Sequence, residues 1–346
     1  MKKFYAVIGN PPYQDESVGD QKTYQKPIYP DFMDESYKVG ERVELITPAR
    51  FLFNAGSTPK NWNQKMLNDQ HLKVAEYVSD SGSVFPSVEI KGGVAVTYRD
   101  GKKQIGPIGT FTPYPELNSI VHKIVDGDFI SFKNIVVSRT AYRFTDIMHK
   151  EHPEVISQLS KGHLYDMSTN IFDLIPQVFS DNDPDDDEEY MRMFGRSGNN
   201  RITKWLKKSY VKVSAVPNFN SYKLAIPSAS GAGIFGEALS APIILAPRTG
   251  NTETFVSIGN FAKKDQCEAC LKYVKSKFTR ALLGIAKVTQ HVTPESWKYV
   301  PLQDFTDNSD IDWSQPIVDI DHQLYRKYDF NDDEIAFIEN EVKEMD

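Results

Sequence analysis

Between residues 4 and 99, short apolar runs alternate with stretches whose apolar residues recur at helical spacing. This alternation restricts the fold more than any other feature. Phe4-Tyr5-Ala6-Val7-Ile8-Gly9 ends in a turn and predicts a buried strand. Tyr29 to Val39 places Phe32, Met33 and Tyr37 at helical spacing and predicts a helix. Val43 to Thr47 predicts a second buried strand stopped by Pro48, and Asn61 to Leu67 a helix. Lys73 to Val78 and Gly92 to Arg99 predict a third and fourth strand, the latter ending at the turn Asp100-Gly101. Strands alternating with helices point to an α/β sheet, with its last two strands an antiparallel pair at the edge.

After about residue 109 the chain turns rich in Ser, Thr, Pro, Gly and aromatics, with short strand-like pieces at Asn134 to Val137 and Ile243 to Ala246. One clear helix, Lys263 to Gly284, interrupts it, with Leu271, Val274, Phe278 and Leu282 on one face. A tail helix follows Asn331, which can cap it with Glu334 three residues on; Ile335, Ile338 and Val342 form its apolar stripe.

The sharpest local signal is Asn10-Pro11-Pro12-Tyr13, directly after the first strand, where α/β sheets bind ligands. Val7-Ile8-Gly9-Asn10-Pro11-Pro12-Tyr13 resembles the catalytic motif of S-adenosylmethionine-dependent methyltransferases acting on the exocyclic amine of adenine. Leu45 to Leu52 resembles the strand after the cofactor helix. Val84-Phe85-Pro86 and Ile90-Lys91-Gly92-Gly93-Val94 resemble the later motif that closes over a flipped base. The stretch from Thr289-Gln290-His291 to Trp297-Lys298-Tyr299-Val300-Pro301-Leu302-Gln303-Asp304-Phe305 is similar to the end of the target-recognition domain of single-chain, type II restriction-modification enzymes.

The resemblance implies the carboxy-terminal half of a Rossmann-like methyltransferase sheet over 1–109, an α+β DNA target-recognition domain over 110–305, and an acidic helical tail over 306–346. It implies catalytic roles for Asn10, Pro11, Pro12, Tyr13 and Phe85, with Asn10 and Pro11 also touching the cofactor. The chemistry fits these residue types. An adenine amine is a poor nucleophile because its lone pair is delocalised into the ring. The Asn10 side-chain oxygen and a proline carbonyl can accept both amine hydrogens and localise that pair, and proline adds no competing N–H. Positioning in a dry pocket then supplies most of the acceleration. The base must leave the duplex, and Tyr13 can stack on it.

The Gly-rich cofactor fingerprint of such enzymes precedes this motif, and only nine residues do so here. Ser230-Gly231-Ala232-Gly233-Ile234-Phe235-Gly236 spells Gly-x-Gly-x-x-Gly but lies in the Ser/Gly-rich region and reads as a loop. The expectation is a carboxy-terminal piece of a longer enzyme, inactive alone, whose missing amino-terminal part is its partner. S-adenosylmethionine is then the cofactor of the whole, and Mg enters only if a nuclease lies upstream.

The formal net charge of −7 argues against a nucleic-acid partner until it is divided. Residues 190–290 hold 16 basic and 4 acidic side chains, while the flanking parts are strongly acidic. Arg192, Arg196, Arg201, Lys204, Lys207, Lys208 and Lys212 interleave with Trp205 and Tyr210, and Arg139 and Arg143 form a second basic pair. These nine cations are the expected contacts to double-stranded DNA. The preceding acidic run from Asp181 to Glu189 reads as a solvated spacer.

Other signals are weaker. Asp80 with Glu89-Ile90-Lys91 mimics a nuclease pattern but is better taken as part of the methyltransferase motif. Cys267 and Cys270 have zinc-like spacing without a second pair and read as reduced helical cysteines, so no metal site is expected. No run reaches a membrane-spanning length and no signal peptide is evident, which fits the cytoplasm. Two alternatives stay open: a DNA-binding module without catalysis, and a protein-glutamine or RNA amino-methyltransferase.

Overall fold

The computed structural model describes residues 3–15, 26–55, 57–86, 90–287 and 289–345. The chain divides into two compact units, residues 1–118 and 119–346. In the first, β1 (Phe4–Gly9), α1 (Tyr29–Val39), β2 (Gly40–Pro48), α2 (Lys60–Leu67), β3 (Leu72–Val78) and β4 (Val94–Asp100) follow in order. The four strands form one mixed sheet in the order β1-β2-β4-β3. β1 and β2 are parallel, joined through α1, while β4 is antiparallel to both β2 and β3. The expected antiparallel edge pair is therefore present.

The core of this unit lies where α1 and α2 cover the sheet. Tyr29, Phe51 and Trp62 meet at ring separations of 5.4–6.3 Å, with Met33, Leu45, Met66 and Leu72 around them. In β2, Val43, Leu45 and Thr47 alternate into the interior, the period-2 pattern of a strand. β1 departs from expectation. It is not buried: Phe4 is 57%, Tyr5 66% and Ile8 78% exposed. An apolar run fixes that a strand forms but not where it lies, and this one occupies the sheet edge, paired to β2 alone among the described residues.

The second unit takes most of α3 (Pro115–Val125), then β5 (Val136–Val137), α4 (Asp146–Glu151), α5 (Ile171–Leu174), the hairpin β6 (Tyr190–Ser197) and β7 (Asn200–Lys207), and β8 (Tyr222–Pro227). β9 (Ile243–Leu245), β10 (Thr249–Asn251), β11 (Phe255–Phe261), α6 (Lys264–Lys275), α7 (Lys277–Ala286), α8 (Ile317–Lys327) and α9 (Asp332–Glu341) complete it. It holds two sheets, β10-β6-β7 and β5-β11-β8-β9. Phe194 of the first packs on Phe255 of the second with ring centroids 4.6 Å apart.

Two sequence expectations change here. Asn134 to Val137 is a 3-10 turn over Phe132–Ile135 followed by the two-residue β5, not one strand. The helix expected over Lys263 to Gly284 is two helices, broken where Ser276 adopts an extended backbone (ψ 148°) and caps α7 by accepting from the Thr279 N–H. Apolar periodicity continues across the break, so the pattern alone does not show it. The tail helix α9 begins as expected, with Asn331 and Glu334 forming a reciprocal capping box. Glu334 is buried and also accepts from Ser119 Oγ at 2.6 Å and Lys123 Nζ at 2.8 Å, which ties the tail into this unit. Among the described residues, no helix is long and apolar enough to cross a membrane.

Candidate active-site rim and basic hairpin

Strand direction gathers the motif residues of the first unit. β1, β2 and β3 run the same way and β4 the opposite way. The carboxyl ends of β1, β2 and β3 and the amino end of β4 therefore share one edge of the sheet. That edge carries Asn10 to Tyr13 after β1, Ala49–Phe53 after β2, Asp80 to Phe85 after β3, and Gly92-Gly93 before β4. Ligands of open α/β sheets bind at this edge.

Asn10 is exposed, and its side chain has no hydrogen-bond partner among the described residues. Pro11 is half-buried and Pro12 exposed. Tyr13 is anchored. Its carbonyl accepts from the Ile28 N–H at 3.1 Å, and its ring packs on the core around Tyr29 and Phe51. Its hydroxyl is buried without a partner, and burial pushes its pKa up. Phe85 meets the Tyr13 ring edge to face, 6.3 Å between centroids at 75°. A compact turn presents Phe85: Asp80 accepts from the Gly82 N–H at 2.9 Å, and the Phe85 N–H donates to the Ser81 carbonyl at 2.8 Å.

Gly92 and Gly93 have left-handed φ angles of 89° and 76°. A Cβ on Gly93 would sit 2.3 Å from the Val78 carbonyl oxygen, so only glycine lets β4 start against the end of β3. Beside them Phe53, Tyr77 and Phe111 form a triangle of edge-to-face contacts at 5.4–5.7 Å. Sequence reasoning missed this triangle, because its members come from three separated segments. Glu89 of the nuclease-like pattern lies outside the described residues.

Among the described residues, nothing at this sheet edge supplies the Gly-rich loop that would hold S-adenosylmethionine. Among the described residues the edge of β1 away from β2 carries no strand. The Gly231-x-Gly233-x-x-Gly236 loop is already filled: the Ala232 and Gly233 N–H groups donate to the Glu237 carboxylate at 2.7 and 3.0 Å, and Lys287 pairs with the same carboxylate. Burial pushes the Glu237 pKa up, but the Lys287 ammonium and these amides outweigh it and hold the carboxyl below the usual range. A nest of amides satisfied by an internal anion is a structural turn.

In the second unit, five of the nine expected DNA-contact cations are paired. Lys204 pairs with Asp181; Lys207 pairs with Glu151 at 3.1 Å and Glu188 at 3.2 Å; Lys208 pairs with Glu189 at 3.0 Å. Arg139 lies 3.4 Å from Glu253 and Arg143 3.0 Å from Asp166. Arg248, which sequence reasoning did not single out, pairs with Glu189 at 2.6 Å. The acidic run is thus more than a spacer: it folds back as a strap over the basic hairpin. Opposite charges 19 to 59 residues apart gave no sign of this, since only the fold brings them together. Arg192, Arg196, Arg201 and Lys212 have no carboxylate within 4.0 Å among the described residues. Arg192 instead lies over the Trp205 ring at 5.8 Å. The Lys212 N–H donates to the Arg143 carbonyl at 2.9 Å, so these two basic residues are neighbours. Cys267 and Cys270 are buried in α6, and burial pushes the Cys267 thiol up to about 12, which disfavours the thiolate a metal needs.

Comparison with known proteins bears on the first unit. Residues 1–85 match the model of the family described as Eco57I restriction-modification methylase. An "uncharacterized adenine-specific methylase" of Mycoplasma pneumoniae is 32% identical over 96 residues, 27% of this chain and 23% of that protein. Among solved structures, the type IIG restriction endonuclease BpuSI aligns over 91% of this chain and 48% of its own, at 11% identity and a TM-score of 0.31. The type IIL restriction-modification enzyme MmeI, solved in complex with DNA, aligns over 97% and 56%, at 11% identity and a TM-score of 0.31. Neither overlay assigns a fold or a role to any residue. The chain spans under a quarter of the methylase it matches and about half of each restriction enzyme. The likeness first carried by Asn10-Pro11-Pro12-Tyr13 is thereby shown, over residues 1–85, to be one to the Eco57I restriction-modification methylases.

Proposed function

We propose that residues 1–118 form the base-binding half of an adenine amino-methyltransferase site, and that residues 119–346 bind DNA, in a bacterial, cytoplasmic restriction-modification system. One observation carries the reading: Asn10 stands exposed and unpartnered at the carboxyl end of β1, on the same sheet edge as the Tyr13–Phe85 pair. The Asn10 side-chain oxygen and the Pro11 carbonyl accept the two hydrogens of the amine of a flipped adenine. Tyr13 and Phe85 bound the base with aromatic surface, and Pro12 leaves no N–H to compete. S-adenosylmethionine supplies the methyl group when its own pocket is present. That pocket belongs to a further segment of the enzyme, which adds strands at the open edge of β1. Parallel strands are normally covered on both faces, and the exposure of Phe4, Tyr5 and Ile8 fits faces that the further segment covers. The chain alone is therefore inactive.

The test incubates the chain with labelled S-adenosylmethionine and pooled unmethylated DNA. No label transfer together with duplex binding in a gel-shift is expected. Robust methyl transfer by the chain alone would overturn the half-site reading. Preference for RNA or a peptide over duplex DNA would overturn the assignment of the substrate.

A further inference from the structure

Arg196 and Arg201 stand directly opposite each other on the β6–β7 ladder, so their side chains rise from the same face. Directly opposed residues of an antiparallel pair lie roughly 5 Å apart at Cβ, and like charges there repel. Elsewhere on this hairpin and just beyond it, the strap supplies carboxylates to Lys204, Lys207 and Lys208. At its tip no carboxylate reaches either arginine among the described residues. Arg196 Nη2 donates only to the Gly198 carbonyl and the Asn199 side chain, at 3.2 and 3.4 Å. Arg201 Nη1 donates to the Ala241 carbonyl at 2.8 Å, and its guanidinium lies over the Phe255 ring at 5.6 Å.

Both arginines line one cleft of about 360 Å³. Asn199, Ser228, Ser240 and Thr254 supply neutral polar groups to its wall, and among the described residues no acidic one lines it. Its size falls within the range of small-ligand pockets, and opposed guanidiniums match the oxygens of a phosphate. We propose that this cleft seats a phosphodiester group of a nucleic acid, held between Arg196 and Arg201. The assignment rests on the DNA reading above and sharpens it. The strapped lysines are not the primary phosphate contact; the hairpin tip is, where the Asp173 carboxylate is taken up by Ser197 Oγ at 2.6 Å and the Gly198 N–H at 3.2 Å rather than by either arginine. The bound anion removes the Arg196–Arg201 repulsion, so binding also stabilises the fold.

The experiment compares the full chain with R196Q/R201Q and with K207Q. Fluorescence anisotropy with a labelled duplex, across salt concentrations, gives affinity and its salt slope. Thermal melting with and without inorganic phosphate gives anion binding independently. The double variant is expected to bind the duplex at least tenfold more weakly, with a log–log salt slope shallower by about 2. K207Q is expected to make the slope shallower by well under 1, because Glu151 and Glu188 already hold that ammonium. Phosphate is expected to raise the Tm of the parent chain and not of the double variant, whose own Tm without phosphate is no lower than the parent's. Duplex binding left intact in the double variant overturns the proposal. A parent chain that binds no duplex, yet is stabilised by phosphate only while both arginines are present, overturns the nucleic-acid source and leaves a small-phosphate site. A parent chain that responds to neither overturns the cleft and the DNA reading together.

Discussion

The Tyr13 ring meets the Phe85 ring edge to face at 6.3 Å, although 72 positions separate them in sequence. The contact joins the loop after β1 to the turn after β3, so it sets the shape of the rim. Tyr13 also carries a buried hydroxyl without a partner. An unsatisfied buried hydroxyl is a cost rather than a gain. Tyr13→Phe is therefore expected to hold or slightly raise stability in urea denaturation, while Tyr13→Ala lowers it by about 2 kcal/mol. A double-mutant cycle with Phe85→Leu is expected to give a coupling of about 1 kcal/mol. A coupling near zero would show that the two rings merely lie close.

Asn10→Ala separates chemistry from folding. The side chain is exposed and makes no hydrogen bond among the described residues, so its loss is expected to move the Tm by no more than about 1 °C. In an assembly competent for methyl transfer, the same change is expected to abolish label incorporation and leave duplex affinity within twofold. A large fall in Tm would mean that Asn10 holds the loop rather than a substrate.

Asp321 gives the second unit a pH dependence of unusual sign. This α8 carboxylate caps α7, accepting from the Lys277 and Phe278 N–H groups at 3.0 and 2.8 Å. Burial nevertheless pushes its pKa up to about 6 from 3.8, the two amides and Arg280 opposing it only in part while Glu339 adds to it. The folded state thus holds the proton more tightly than the unfolded chain. This contribution is fully present below about pH 4 and is lost as pH rises through 6, at about 1.4 kcal/mol per pH unit between. Asp321→Asn keeps one capping oxygen and removes the titration. The stability difference between variant and parent is expected to change across pH 4–6 and stay flat from pH 7 to 8, measured by urea denaturation. A difference independent of pH would place the carboxylate's titration outside that window.

These relationships show what a linear reading of the chain reaches. The strand–helix alternation of residues 4–99 was legible because each element carries its own period, and the turn glycines Gly92-Gly93 were visible as a pair. Where each element lies was not. β1 reads as buried because Phe4, Tyr5 and Ile8 are apolar, and nothing local reveals a sheet edge. The basic segment was legible as charge, but its partition was not. Which cations are neutralised depends on the β6–β7 register, which sets Arg196 against Arg201 and brings the strap back to Lys204, Lys207 and Lys208. The α6–α7 break escaped because Asp321 and Ser276 together cap a helix end that apolar periodicity runs straight through.

The strap itself can be tested by removing its charge. Asp181, Glu188 and Glu189 are more than half exposed, so each of their ion pairs contributes at most about 1 kcal/mol and exchanges readily. Phosphates of an approaching duplex compete for the same lysines and for Arg248. The triple change Asp181→Asn, Glu188→Gln and Glu189→Gln raises the local charge by three and frees Lys204, Lys208 and Arg248, while Lys207 keeps Glu151. Duplex affinity is expected to rise several-fold at low ionic strength, with the gain fading as salt screens it. Stability is expected to fall by no more than about 2 kcal/mol. Affinity unchanged at every ionic strength would mean that the strapped face never meets the duplex and that the hairpin tip binds without it.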